Sequence, residues 1–247
     1  MSPAGVQLRV SILARVPRAL FLLAMAAGSA LITLGSLAYF DFQELPPFVI
    51  EKLPVRFEAL WLMSLRVHVA AAALAFPLCI ALMTRALQRR ATLHRWLGRI
   101  AGGVILLALV PSGTVLAFDA KGGSFVTAGF LLSGALVFGF MAKGIRDARR
   151  RDLVRHRHAM RHVFAQMSVA VSSRALLYVF DAAGMSPDIA YVVALWGPVL
   201  GSAAAAEWFS SSTSIAQPFT RIGHVFGKVA RSLGARSLAR PLARLGR

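Results

Sequence analysis

Five histidines of this chain stand at or within apolar stretches, and their positions define the chemistry open to it. His94 opens the segment LHRWLGRI ahead of one apolar run, His156, His158 and His162 crowd the segment RHRHAMRH ahead of another, and His68 lies inside a third. Imidazole is a common haem and metal ligand and the side chain that titrates nearest neutral pH. An ionisable group within or at the edge of a bilayer marks a functional site by default, because its desolvation has to be repaid. The pattern points to a redox or metal site in a membrane protein.

The elements that carry these histidines follow from composition. Of 247 residues, 57% are apolar and 15% charged, with a mean hydropathy of +0.65; an ordinary soluble domain carries about a quarter charged residues. Six apolar runs lie at about 19–40, 60–84, 97–118, 124–142, 163–181 and 188–209. Each approaches the ~20 residues that a helix needs to cross the hydrocarbon. The expected fold is all-α, a polytopic transmembrane helical bundle of about six spans. The fourth run carries Gly129, Gly134 and Gly139, which suits close helix packing. Pro77, Pro111 and Pro198 fall within spans as candidate kinks, and Trp96, Trp196 and Trp208 read as interface-belt or packing residues. The single cysteine, Cys79, rules out an internal disulfide or a CxxC motif.

Charge sets the orientation. Segment 85–95 holds Arg85, Arg89, Arg90 and Arg95 and no acid, and segment 143–162 holds Lys143 and seven arginines against Asp147 and Asp152. The alternate connections hold Asp41, Glu44, Glu51, Glu58, Asp119, Asp181 and Asp188 against Lys52, Arg56 and Lys121. The positive-inside rule makes the basic connections and both termini cytoplasmic, in the inner (plasma) membrane. Residues 1–18, with Arg9, Arg15 and Arg18, form a basic cytoplasmic lead; the run after it is too long for a signal-peptide core and reads as a first span. Residues 19–209 form the bundle, and 210–247 a basic tail. There Ile222, Val225, Phe226, Val229 and Leu233 recur at helical spacing among Lys228, Arg231 and Arg236. The tail is either an amphipathic helix on anionic lipid or a disordered segment drawn to it by charge. The formal charge of +18 is thus a membrane-surface feature and does not imply nucleic-acid binding.

Depth sorts the candidate residues into two groups. His94 precedes the third span and His156, His158 and His162 precede the fifth, so all four fall near the inner face. Arg95 and Arg99 follow His94 and are suited to pair with an anionic group such as a haem propionate. Glu207, the acid within the sixth span, can orient a histidine or offset an arginine. His158 and His162, beside Arg157 and Arg161, read as cationic interface residues. His68 and Arg174 share a level roughly 10–12 Å below the outer surface by helical rise, with Ser112, Thr114, Ser172 and Ser173 in the same half. An arginine at that depth requires an anionic or carbonyl partner.

The series His68, Pro77, LHRWLGR over 93–99, His156-x-x-x-Met160, Arg174 and Glu207-Trp208 resembles the bacterial membrane proteins grouped as domain of unknown function 2306. The resemblance covers about 61–209. It carries over to His68, to His94, Arg95, Gly98 and Arg99, and to His156, Met160 and Arg174; His158 and His162 fall outside the pattern. Tyrosines usual in the family are Ile100 and Phe164 here. The HRWLG segment is also similar, over a few residues, to cytochrome b561-type membrane haem proteins, which implies a bis-histidine haem b between antiparallel helices.

Two classes of function follow. In the first, His94 and His156 bind haem b and the protein passes electrons to or from quinone or a redox partner, with His68 and Arg174 as an outer-side or substrate site. In the second, the protein is a cofactor-free transporter or small-molecule binder in which His68 and Arg174 form an anion or proton site. A metal-dependent hydrolase ranks below both, because spans almost without carboxylates lack the usual general base, and GxSxG, P-loop and HExxH motifs are absent. Whether the protein is an enzyme stays open.

Overall fold

A computed structural model describes the backbone of residues 15–41 and 43–232 and the side chains of 17–41 and 43–210. The chain divides into two units, Met1–Ala204 and Ala205–Arg247. In chain order the helices are α1 (Arg15–Gly35), α2 (Pro47–Lys52), α3 (Glu58–Leu82), α4 (Arg85–Arg89), α5 (Ala91–Val104), α6 (Val110–Phe118), α7 (Gly123–Arg149), α8 (Leu153–Ala182) and α9 (Pro187–Ser232). A π-helical turn, Ile105–Leu109, joins α5 to α6. Among the described residues six helical segments are long and apolar enough to cross a membrane, as the sequence predicts.

Helix ends depart from the hydropathy reading. The expected fourth and fifth runs stop at 142 and begin at 163, yet α7 continues to Arg149 and α8 starts at Leu153. The expected basic connection 143–162 therefore shrinks to a turn in which Arg151 takes φ 60°, and the histidine cluster lies on a helix. The physical reason is local. Arginine and lysine are good helix formers that need not enter the hydrocarbon, and the Asp152 side chain caps α8 by accepting from Arg155 N–H at 3.0 Å.

Packing is sequential around α3 and α7. Helix α1 lies on α3 and α8, α3 on α5 and α6, and α7 on α6 and α8. One apolar core, from Ala71, Phe76 and Ile80 to Ile105, Val137, Met141, Val163 and Met167, joins α3, the π turn, α7 and α8. A second, of Val126, Val169, Leu195 and Val199, ties α9 to α7 and α8. Of the glycines expected to mediate close packing, Gly129 does so: a Cβ there would lie 2.8 Å from Leu195 Cδ2. At Gly139 a Cβ would meet nothing within 4 Å. Between α1 and α3 the chain forms an outer cap, with Tyr39, Leu53 and Val55 on a buried cluster of Val49, Trp61 and Leu65. Lys121 pairs with Glu51 across this face.

In the second unit the backbone is helical through Ser232. The amphipathic pattern from Ile222 to Arg231 falls on backbone described as helix, and its side chains lie outside the described ones. Leu233 and Arg236 lie outside the described residues altogether, as does Arg9 of the basic lead.

Orientation has a direct check. In a variant whose buried Cys79 is replaced by serine, cysteines placed at Glu44 and Met185 are expected to react with an impermeant maleimide from outside intact cells. Those at Arg90 and Arg150 should react only after permeabilisation, and the opposite pattern would invert the topology.

Candidate functional site

The outer group is organised by a broken hydrogen-bond ladder. Pro111 has no N–H to give to the preceding turn, and just before it the helix widens, with Val110 N–H donating to Ile105 C=O. Beside the break, side chains bond two backbone carbonyls. The Ser112 hydroxyl lies 2.6 Å from Ala108 O and 3.1 Å from Leu109 O, and His68 Nδ1 reaches Leu109 O at 3.0 Å. A carbonyl only accepts, so this bond places the proton on Nδ1 and the lone pair on Nε2. Space for the ring comes from Gly113, where a Cβ would stand 2.9 Å from His68 Cε1. A cavity of about 200 Å³ flanks the break, lined by Ser64 and Val67 of α3 and by Ala108, Pro111, Ser112 and Val115.

Arg174 is exposed and its guanidinium donates to Ala170 O of its own helix at 2.9 Å. Ser172 bonds back to Ser168 O of its own helix at 3.0 Å and Thr114 to Val110 O at 2.9 Å, so neither is committed to the site. The sequence reading passed over Arg66, two residues before His68 on α3. Its Nε donates to Tyr39 O at 3.0 Å, pinning the end of the first span to α3.

The inner group is built on Gly144. His156 Nδ1 donates to Gly144 O at 2.9 Å, which again leaves the lone pair on Nε2. One turn along α8, Met160 fills the space over the same glycine: a Cβ at Gly144 would stand 2.2 Å from Met160 Cε. The HxxxM spacing thus puts both residues against a single point of α7. His94 is half-buried on α5, and its buried Nδ1 has no hydrogen-bond partner among the described residues. Arg95 and Arg99 are exposed and turned to local partners, Arg95 to Thr92 Oγ1 at 3.5 Å and Arg99 over the Trp96 ring at 5.3 Å. Phe164, in place of a tyrosine, packs against Phe21 and Phe76, an apolar setting that has no use for a phenol.

Three other polar positions emerge only in three dimensions. Asp147, counted in the sequence as a surface acid, is 2% exposed, on the face of α7 that carries Gly144. Its Oδ1 lies 3.8 Å from Arg146 Nε, and its Oδ2 has no hydrogen-bond partner among the described residues. Gln166, 3% exposed, accepts from Ser133 Oγ at 3.0 Å and donates to Val199 O and Ser202 Oγ at 3.0 and 3.1 Å. His162, expected at the headgroups, is instead 2% exposed and stacked on Phe140 at 4.0 Å between centroids. Its i, i+4 partner His158 lies 4.9 Å away by centroid.

The Gly144 contact yields a test of the inner site. Gly144→Ala should destabilise the bundle by about 1–3 kcal/mol through overpacking. Met160→Ala in the same chain should restore most of the loss, as read by thermal unfolding in detergent. Equal loss in the single and double variants would show that the two residues do not meet.

A profile of the family described as Predicted membrane protein (DUF2306) matches residues 65–210. That interval contains His68, His94, His156, Met160 and Arg174. No curated protein and no solved structure matches the chain, so the similarity of HRWLG to cytochrome b561-type proteins gains no support from these comparisons. Six membrane-crossing helices and a family match over more than half of the sequence agree, and the chain belongs to the DUF2306 family of predicted membrane proteins.

Proposed function

We propose that the protein is a redox component of the bacterial inner membrane that holds a b-type haem between His94 and His156 and exchanges electrons with quinone or a redox partner. The observation that carries this reading is the hydrogen bond from His156 Nδ1 to Gly144 O. Ligating histidines are usually held in this way, with the second ring nitrogen on a carbonyl so that Nε2 faces the metal. On a different helix, the unpartnered buried Nδ1 of His94 marks a ring whose hydrogen bonding is incomplete. A haem supplies one-electron chemistry, tuned by its axial ligands and by burial. The chain's part is to fix the ring of His156, to keep water from the apolar side through Met141, Val163 and Met167, and to offer Arg95 and Arg99 to propionates after they leave Thr92 and Trp96. The basic tail adds attraction to anionic inner-leaflet lipid. Purified protein is expected to show a Soret band that shifts on dithionite reduction and is lost in His94→Ala and in His156→Ala. Protein free of iron and porphyrin, even after haem is offered, would remove the proposal.

A second reading is favoured by the outer group alone. His68 bonds Leu109 O and lies 3.3 Å from Ser112 Oγ, a residue lining the cavity at the π turn; with Arg174 as the cation, such an arrangement suits a small organic anion in a cofactor-free transporter or binding protein. It predicts a carboxylate or phosphate compound that raises the melting temperature of the wild type and has no effect on Arg174→Ala, while His156→Ala responds normally. The reading fails if every such compound acts equally on the wild type and Arg174→Ala.

A further inference from the structure

His158 and His162 belong to neither group described above, and the family pattern does not include them. They sit four residues apart on α8, where positions i and i+4 lie one above the other on the same face. Their ring nitrogens lie within 4.8 Å of each other. His156 points elsewhere, to Gly144 O on α7, and being two residues from His158 it lies on another side of the helix. His162 is held rigidly: it is buried, and its ring lies nearly parallel to Phe140, 9° between planes. The His158 ring is tilted 51° to that of His162, so the two do not stack on one another.

We infer that His158 and His162 form a chelate for a borderline transition-metal ion of the zinc class, separate from the His94–His156 pair. Two imidazoles at i, i+4 on a helix supply two ligands from one rigid element, the spacing used when a helix presents paired histidines to zinc. Bringing the nitrogens from within 4.8 Å to the separation set by two Zn–N bonds of about 2.0–2.1 Å needs only a small rotation of the partly exposed His158. His162 stays on Phe140, and water or a further donor completes the coordination. Imidazole donors select zinc, nickel, copper and cobalt over magnesium and calcium, which prefer oxygen. No bond other than metal–ligand bonds forms, and no electron moves.

The experiment is calorimetric titration of Zn²⁺, with Mg²⁺ as control, into untagged, metal-stripped protein in detergent, with Co²⁺ as an optical probe. The expected result is one Zn²⁺ site, no Mg²⁺ binding, and affinity at least about tenfold weaker in His158→Ala and in His162→Leu, because even supporting groups of a metal site cost that much. His158→Ala removes a partly exposed side chain, and its melting temperature without metal should match the wild type, which keeps the test decisive if His162→Leu does not fold. Zn²⁺ affinity in the His94→Ala/His156→Ala variant should be unchanged, so loss of the haem reading leaves this one standing. The inference is overturned if the wild type binds no Zn²⁺, if His158→Ala binds as the wild type does, or if binding vanishes instead in the His94→Ala/His156→Ala variant.

Discussion

Main-chain carbonyl oxygens are the counter-groups of this bundle. Its spans hold several cationic and imidazole side chains and very few acids, so the usual remedy for a buried positive group, a carboxylate, is missing. Arg18 bonds Met83 O, Arg66 bonds Tyr39 O, His68 bonds Leu109 O, His156 bonds Gly144 O, Gln166 bonds Val199 O and Arg174 bonds Ala170 O. In each case a polar side chain meets a backbone dipole, most often one on another helix. Such bonds satisfy a donor in a medium without water, where an unpaired group is costly. They also fix the tautomer of both key histidines, because an oxygen that can only accept compels the proton onto the nitrogen facing it. Helix packing, ring orientation and the choice of reactive nitrogen all come from this one kind of contact.

The two sites that these contacts create are chemically separate. His68 and Arg174 lie toward the acidic connections, His94 and His156 toward the basic ones, and between them runs the apolar core from Ala71 to Ile80 on α3 with its partners Val137, Met141, Val163 and Met167.

How much of this was legible beforehand differs by level. Hydropathy and the alternation of basic and acidic connections were sufficient for six spans, since both report on lipid and not on side-chain contacts. Helix ends were misplaced where Lys143 to Arg161 continue the helices past the apolar runs, although Asp152 three residues ahead of Arg155 is a readable cap. Depth, read from helical rise, groups His68 with Arg174 and His94 with His156 as an expectation only. It could not tell which imidazole nitrogen is left with the lone pair, because that depends on a carbonyl of a different helix. Arg66, Asp147 and Gln166 escaped notice for the same reason: nothing in their neighbouring residues says that the third dimension buries or pins them. Pro111 was legible as a disturbance, but its form, a widened turn with Ser112 and His68 on nearby carbonyls, depends on the neighbouring α3.

That widened turn also acts as a phase shifter. Residues eighteen apart complete five turns of an α-helix and look in one direction, as His156 and Arg174 do along the uninterrupted α8. His94 and Ser112 are likewise eighteen apart, but the π turn at Ile105–Leu109 lies between them. It winds more residues into a turn, so the outer part of this helix is rotated against the inner part. Substitutions in the turn can change its packing without altering that offset. The wide turn absorbs one residue more than an α turn, so its removal together with that residue would leave Ser112 and Gly113 facing His68. The third crossing thus joins His94 and Ser112 in a register that a plain α-helix of the same length would not give.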